Sequence, residues 1–175
     1  MVDSSVSPGV CWDYPEGYAD YRNVNNQPYV PSINDITQPG DSGILEVPTS
    51  IVGSSMRSMF ANSHVVRDNH AVMRLLNRVL PLSWVTPVAH HTPRILHAID
   101  RIIRQNRRKD CVMVCMTFHS VDIIPRASPA VKDEKGQEMM LQRIENALTY
   151  ARKRGFKFVT LSEAYPFFIR EPVLA

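Results

Sequence analysis

The residues best placed for chemistry are His119 and Ser120, which directly follow the apolar run Cys111–Phe118. In α/β folds, ligands bind at the carboxyl ends of parallel strands, because the loops there converge above the core. A histidine at that position can act as a general acid or base near neutral pH. The alternative is a loop histidine that bonds a backbone carbonyl. Ser120 and Asp122 alone do not indicate a nucleophile triad, since triads are assembled in space.

The other histidines do not form a metal-binding pattern. His90 and His91 are adjacent, so on a strand they point to opposite faces, and no His-x-x-x-His pair occurs in the sequence. His64, His70 and His97 are scattered at spacings that favour no metal site. Surface or packing roles explain them better, and we predict no metal ligand in this chain.

Glu46 lies between Leu45 and Val47 in a short predicted strand, so its side chain points to solvent or into a barrel interior. A buried carboxylate needs a partner, and we expect a structural ion pair rather than catalysis. Cys111 and Cys115 are about 13 Å apart at strand rise, beyond disulfide reach, and are predicted to be buried free thiols.

Basic residues gather at the end of one predicted helix: Arg101, Arg104, Arg107, Arg108 and Lys109. They are typical of a solvated helix end, where cations complement the helix dipole. No aromatic platform for stacking nucleotides is interleaved with them, and the net charge of +3 is small. We therefore predict no nucleic-acid partner. Trp84 and the tyrosines of the first segment can stack on sugar rings or anchor a loop.

The length of 175 residues and the 44% hydrophobic content fit one globular domain. Residues 1–42 are rich in proline and aromatic residues and are predicted to form a long surface loop. Residues 43–175 are predicted to form the α/β portion. The longest apolar run is too short to cross a membrane, and no secretory signal is present, which favours a cytoplasmic location.

Regular elements are predicted from Gly43 onward. They are strand Gly43–Val47, helix Asn69–Leu80, a helix opened by Thr92-Pro93, strand Cys111–Phe118, helix Asp133–Arg154 ended by Gly155, strand Phe156–Leu161 and a short helix capped by Ser162. The run Cys111–Phe118 is typical of a parallel strand that is buried on both faces. This order of strands and helices predicts an α/β fold.

Four segments together resemble a known family. Met116–Pro129, which reads MTFHSVDIIPRASP, resembles the end of the polysaccharide deacetylase (NodB-homology) domain, and more closely the WalW-like branch. In that branch a strand ends in a histidine-serine pair, followed by an acidic-hydrophobic loop, a proline and a Ser-Pro. Gly155–Glu163 resembles the final strand, Val2–Pro8 the aspartate motif, and Gly43–Thr49 the strand after it.

The resemblance implies a distorted (β/α) barrel that hydrolyses N-acetyl groups of a glycan with a divalent, zinc-like metal. His119 matches the late histidine that protonates the leaving amine, and Asp3 matches the aspartate that orients an arginine. Thr117 stands where the family commonly has a leucine that lines the acetyl pocket. Thr117, Ser120 and Trp12 are the candidate substrate-binding residues.

The family's Asp-Asp, His-x-x-x-His and arginine motifs belong before Asp3 and do not occur in this sequence. The sequence therefore predicts the carboxyl-terminal half of the domain, a partial barrel that cannot hold the metal alone. An unpaired strand edge and an uncovered apolar face favour association, with a second copy or with the missing amino-terminal half. The alternative function is a non-catalytic glycan-binding or assembly module that lacks the metal site.

Overall fold

The computed structural model describes residues 1–14, 17–54, 57 and 69–169. The strands are β1 (Val2–Asp3), β2 (Cys11–Tyr14), β3 (Gly17–Asp20), β4 (Leu45–Glu46), β5 (Ile51–Val52) and β6 (Ser83–Trp84). The helices are α1 (His70–Val79), α2 (Thr92–Gln105), α3 (Glu134–Lys153) and α4 (Leu161–Phe168), with a 3₁₀ turn at Ser120–Ile123. These elements form a mixed α/β fold with small sheets, and no closed barrel is present within the described residues.

Two of the predicted helices, α2 and α3, are confirmed by their ends. Pro93 sits in the first turn of α2, where its missing N–H is not needed. Asp133 begins α3 by accepting a hydrogen bond from the Gly136 N–H at 2.7 Å. Gly155 follows α3 with a φ of +84°, the left-handed conformation that glycine adopts without strain. α1 occupies the predicted span, but its Leu75 side chain is 61% exposed.

The main core lies between α2 and α3. Ile95, Ile99 and Ile102 form the buried stripe of α2. α3 contributes Ala147 to the same cluster, together with Val52 from β5. A second, smaller cluster places α4 against the strand pair β1–β4. These two clusters hold the extended segments between the helices.

The prediction of a strand buried on both faces at Cys111–Phe118 is wrong. The segment carries no strand ladder, and Cys111 to Thr117 are half-buried. Its backbone meets a neighbour at two points on one side, where the Cys115 carbonyl accepts from the Ser50 N–H at 3.1 Å and the Thr117 N–H donates to the Val85 carbonyl at 3.2 Å. Isolated backbone bonds of this kind do not build a ladder.

The prediction of a strand at Phe156–Leu161 is also wrong. Residues 156–160 have no strand assignment, and Leu161 begins helix α4. The cap of α4 is Thr160 rather than the predicted Ser162, and it forms a reciprocal capping box with Glu163. An apolar cavity of about 530 Å³ lies between the segments 111–116 and 156–159, which explains the missing ladder between them.

Residues 1–42 are more structured than the predicted surface loop. β1 pairs in parallel with β4, so that Val2 lies opposite Leu45. β2 and β3 form an antiparallel hairpin, with Trp12 opposite Ala19. These strands have two to four residues, too few for an alternating pattern to be recognised in the sequence.

Two smaller findings concern the cysteines and the membrane. Cys111 and Cys115 are free and half-buried, whereas the sequence predicts buried thiols. The helices of the described residues include none that is long and apolar enough to span a bilayer.

Candidate functional site

His119 is exposed and directly precedes the 3₁₀ turn at Ser120–Ile123. Its backbone N–H donates to the Asp122 carboxylate at 2.9 Å, while the Asp122 N–H donates to the His119 carbonyl, also at 2.9 Å. Asp122 is buried, so these two bonds fix the backbone of the turn. The His119 side chain is exposed to solvent.

Two of the predicted substrate-binding residues share this short stretch with His119. Thr117 is half-buried, and its N–H is held by the Val85 carbonyl at 3.2 Å. Ser120 is exposed at the first position of the 3₁₀ turn. The three residues lie within four positions of the chain, and the turn presents His119 and Ser120 to solvent.

Asp3 and Glu46 are register partners on the parallel strands β1 and β4. Residues opposite each other in a sheet project from the same face. Asp3 is exposed and accepts a hydrogen bond from the Ser5 hydroxyl at 2.8 Å. Glu46 is fully buried, and its Oε1 accepts from the Val6 N–H at 3.0 Å. The fold therefore pairs the predicted Asp3 with a second carboxyl group.

The expected ion pair at Glu46 is wrong for the described residues. Its oxygen Oε2 is buried and has no donor there. Burial raises the pKa of Glu46, and the negative charge of Asp3 raises it further, against the lowering effects of the Val6 and Ser5 N–H groups. The sequence contains no signal for this pair, because the register of β1 against β4 brings the two carboxyls together.

Asp3 and His119 are not joined within the described residues. Ser4, the neighbour of Asp3, donates its hydroxyl to the Val47 carbonyl at 2.7 Å and lies 3.7 Å from the Cys115 sulfur. Cys115 precedes His119 by four residues, about 13 Å at strand rise. The two predicted catalytic residues thus lie on neighbouring stretches of chain, without a contact between them.

Trp12, the third predicted substrate-binding residue, lies on the hairpin β2–β3. Its ring meets Trp84 edge to face, with centroids 6.1 Å apart and planes at 84°. This arrangement is a favourable aromatic pair. Trp12 remains 37% exposed, and Tyr18 on the same hairpin is 73% exposed. The pair anchors the hairpin to β6 while leaving aromatic surface accessible.

A polar cavity of about 570 Å³ opens at the base of the hairpin. Its lining includes the side chains of Asn23, Asn25, Asn26 and Gln105. Amide groups of this kind can donate to and accept from hydroxyl groups. Asn26 also contacts Asn106, at the end of α2. Because the chain runs from Asn106 into the extended segment that precedes His119, the cavity lies near the start of that segment.

The described residues contain no group of three His, Cys, Asp or Glu residues that can hold a metal ion. His90 bonds the Ala89 carbonyl at 2.8 Å, and burial lowers its pKa. His91 lies 3.4 Å from an Arg143 nitrogen instead, so these two rings do not converge. His64 and the side chain of His70 lie outside the described residues. The residues present do not fit the metal that the family resemblance implies.

The basic residues at the end of α2 behave as predicted for a solvated helix end. Arg104, Arg107, Arg108 and Lys109 are exposed. They border a shallow cavity of about 830 Å³. Asn106, in their midst, is buried and caps the helix through its amide, which donates to the Ile102 carbonyl at 2.9 Å.

No family model, curated protein or solved structure matches this chain. The functional interpretation therefore depends on the chain's own residues and their geometry.

Proposed function

We propose that the chain is the carboxyl-terminal part of a polysaccharide deacetylase-like hydrolase that removes N-acetyl groups from a glycan. In this proposal His119 is the general acid, and Asp3 orients a residue of the complete site. The observation that carries the proposal is the histidine-serine pair, His119 and Ser120, exposed directly after an extended apolar segment. The motif order around that pair is the order of the family.

The geometry of the turn suits a proton donor. The Asp122 carboxylate is engaged by the His119 backbone N–H, so it fixes the backbone rather than the ring. An exposed imidazole can take a proton from water and deliver it to a bound substrate. In amide hydrolysis the nitrogen must be protonated to leave, since an amide anion is a very poor leaving group. His119 would supply that proton.

The described residues do not provide the metal site that the family resemblance implies. A divalent metal activates water for attack on the acetyl carbon, but the described residues offer no group that can hold it. The part of the reaction assigned to this chain is proton donation to the amine, with Thr117 and Ser120 beside the acetyl group. In this proposal, the residues that activate water are not among the described residues.

The test is acetate release from N-acetylated oligosaccharides by the natural protein that carries these residues. We expect His119→Ala to lower kcat by about 10²–10⁴-fold, the usual contribution of a general acid. His97→Ala is the matched control, because His97 is also exposed but lies on α2 beside Arg101. An unchanged rate in the His119 variant would contradict the assignment.

A second candidate function is a non-catalytic glycan-binding or assembly module. The observation that favours it is the Trp12–Trp84 pair, which leaves aromatic surface exposed beside the polar cavity at the base of the hairpin. Sugar rings pack on aromatic faces while their hydroxyls bond amide side chains. This arrangement requires no metal and no contact between Asp3 and His119.

Calorimetric titration with the same oligosaccharides separates the two functions. For the module we expect binding that Trp12→Ala abolishes and Tyr18→Ala preserves, because Tyr18 is on the same hairpin but outside the tryptophan pair. Binding without acetate release by the natural protein favours the module. Acetate release that depends on His119 favours the hydrolase.

A further inference from the structure

The buried carboxyl group of Glu46 has an unusual environment. Glu46 is 0% exposed, and a carboxylate with no compensating partner is expensive to bury. One oxygen, Oε1, accepts from the Val6 N–H at 3.0 Å. The other, Oε2, is buried with no donor among the described residues. An ionised Glu46 would therefore leave half of its charge unsatisfied.

The groups that face Glu46 come from both neighbouring segments. On β1 the facing group is Asp3, the register partner of Glu46, whose negative charge disfavours the ionised form of Glu46. On the other side, the backbone of Tyr29 exchanges two hydrogen bonds with that of Glu46, at 3.1 and 2.9 Å. The Tyr29 phenol donates to the Ile36 carbonyl, and burial together with Glu46 raises its pKa to about 12. No described group offers Glu46 a positive charge.

Two ionised carboxylates cannot hydrogen-bond each other, because both are acceptors only. A single proton between them converts the repulsive contact into a donor–acceptor pair, as in carboxyl pairs that share one proton. The buried member keeps the proton, since burial disfavours charge, and the exposed member stays hydrated and ionised. Glu46 is the buried member and Asp3 is the exposed one.

We propose that Glu46 is a neutral carboxylic acid in the folded protein and donates its Oε2 proton to the Asp3 carboxylate, so that it acts as a positioning residue for Asp3. The donated bond fixes the Asp3 carboxylate on the strand pair β1–β4. The location of the proton is independent of the proposed function. Only the consequence for deacetylation rests on that function, through the role assigned to Asp3.

Carbon NMR of the side-chain carboxyls in the 175-residue chain tests the proton directly. Exposed glutamates lose their proton at a pH of about 4.3. Above that pH, we expect the Glu46 carboxyl carbon to keep the chemical shift of a protonated acid. In Asp3→Asn, which removes the neighbouring charge, the Glu46 midpoint should move to lower pH. A Glu46 carbon that titrates together with the exposed glutamates overturns the proposal, whether or not the protein is a deacetylase.

Two substitutions at position 46 provide a second readout. Glu46→Gln keeps an acceptor for Val6 and a donor for Asp3, whereas Glu46→Leu removes both. Because the pKa of Glu46 is raised in the folded protein, its protonated form stabilises the fold fully at pH values below 4.5, the ordinary pKa of a glutamate. This stability is lost as the pH rises through the pKa of Glu46 in the folded protein. The urea midpoint of the unmodified protein should therefore fall from about pH 4 to about pH 7 relative to Glu46→Gln. A constant difference over that range overturns the proposal, and a Leu variant as stable as Gln does so as well.

Discussion

The two edges of the extended core differ in how their backbones are satisfied. At β4, Glu46 has backbone neighbours on both sides, since Asp3 is its register partner and Tyr29 bonds it twice. At Met113, one side is closed by the side-chain amide of Gln27 and the other faces the apolar cavity of about 530 Å³. The first arrangement gives a strand and the second only an extended segment. An apolar sequence favours extension, but a strand also needs a backbone partner within reach.

The open edge is also where apolar side chains remain exposed. Four of them lie around the cavity or on α4 beside it, and their exposed fractions range from 42% to 56%. They are Leu148, Phe158, Leu161 and Phe167. Exposed apolar surface beside an extended segment that lacks a ladder partner is typical of an interaction surface. Substitutions on the closed and open sides should therefore differ sharply in effect.

The largest expected effect is in the helix core. Ile99→Ala removes a side chain that is 1% exposed between α2 and α3, and should lower the free energy of unfolding by about 2–5 kcal/mol. Phe158→Ala is the control from the open edge, since Phe158 is 56% exposed. Urea unfolding followed by circular dichroism measures both. Equal losses would show that the edge at residues 156–159 is packed and that the comparison is wrong.

A smaller effect is expected at the amide that substitutes for a strand partner. Gln27 is 1% exposed, donates to the Met113 carbonyl at 3.1 Å and accepts from the Met113 N–H at 2.9 Å. Gln27→Ala leaves both backbone groups without these bonds, which should cost about 1–3 kcal/mol. Gln38→Ala, at an exposed glutamine of the same region, should change the urea midpoint little. If Gln27→Ala left the urea midpoint unchanged, water would be replacing the amide at the Met113 backbone.

The smallest of the three effects is at the cap of α4. Thr160 accepts from the Glu163 N–H at 3.3 Å, and Glu163 accepts from the Thr160 N–H at 2.7 Å. Thr160→Ala should destabilise the protein by about 1 kcal/mol. Ser162→Ala is the control, since Ser162 is in the first turn of the helix and is exposed. Thermal unfolding distinguishes the two, and a larger loss for the serine variant would restore the sequence-based cap.

The sequence predicts the helices well because their signals are local. Asp133 and Gly155 define the ends of α3 by side-chain capping and by backbone freedom, which need no distant partner. The strands at Cys111–Phe118 and Phe156–Leu161 were predicted from composition, which cannot specify whether a ladder partner lies within reach. The pairing of β1 with β4 was missed because two-residue strands carry no period.

In the candidate site, too, the residues marked by local sequence signals are predictable, whereas the contacts between distant segments are not. His119 and Ser120 are recognised because they follow a recognisable apolar segment, and the structure exposes both. Asp3 is predicted from a family motif, but its partner Glu46 was expected to form an ion pair. The carboxyl pair depends on strand register, which is a long-range property of the fold. Trp12 and Trp84 meet for the same reason, through contacts between distant segments.

The most direct measurement compares the His119→Ala variant of the natural protein on two acetyl substrates. One is an N-acetylated oligosaccharide, whose amine must be protonated to leave, and the other is an activated nitrophenyl acetate ester, whose leaving group needs no proton. If His119 is the general acid, kcat should fall by about 10²–10⁴-fold on the oligosaccharide and change little on the ester. Equal losses on both substrates, or no loss on the oligosaccharide, would contradict the central claim.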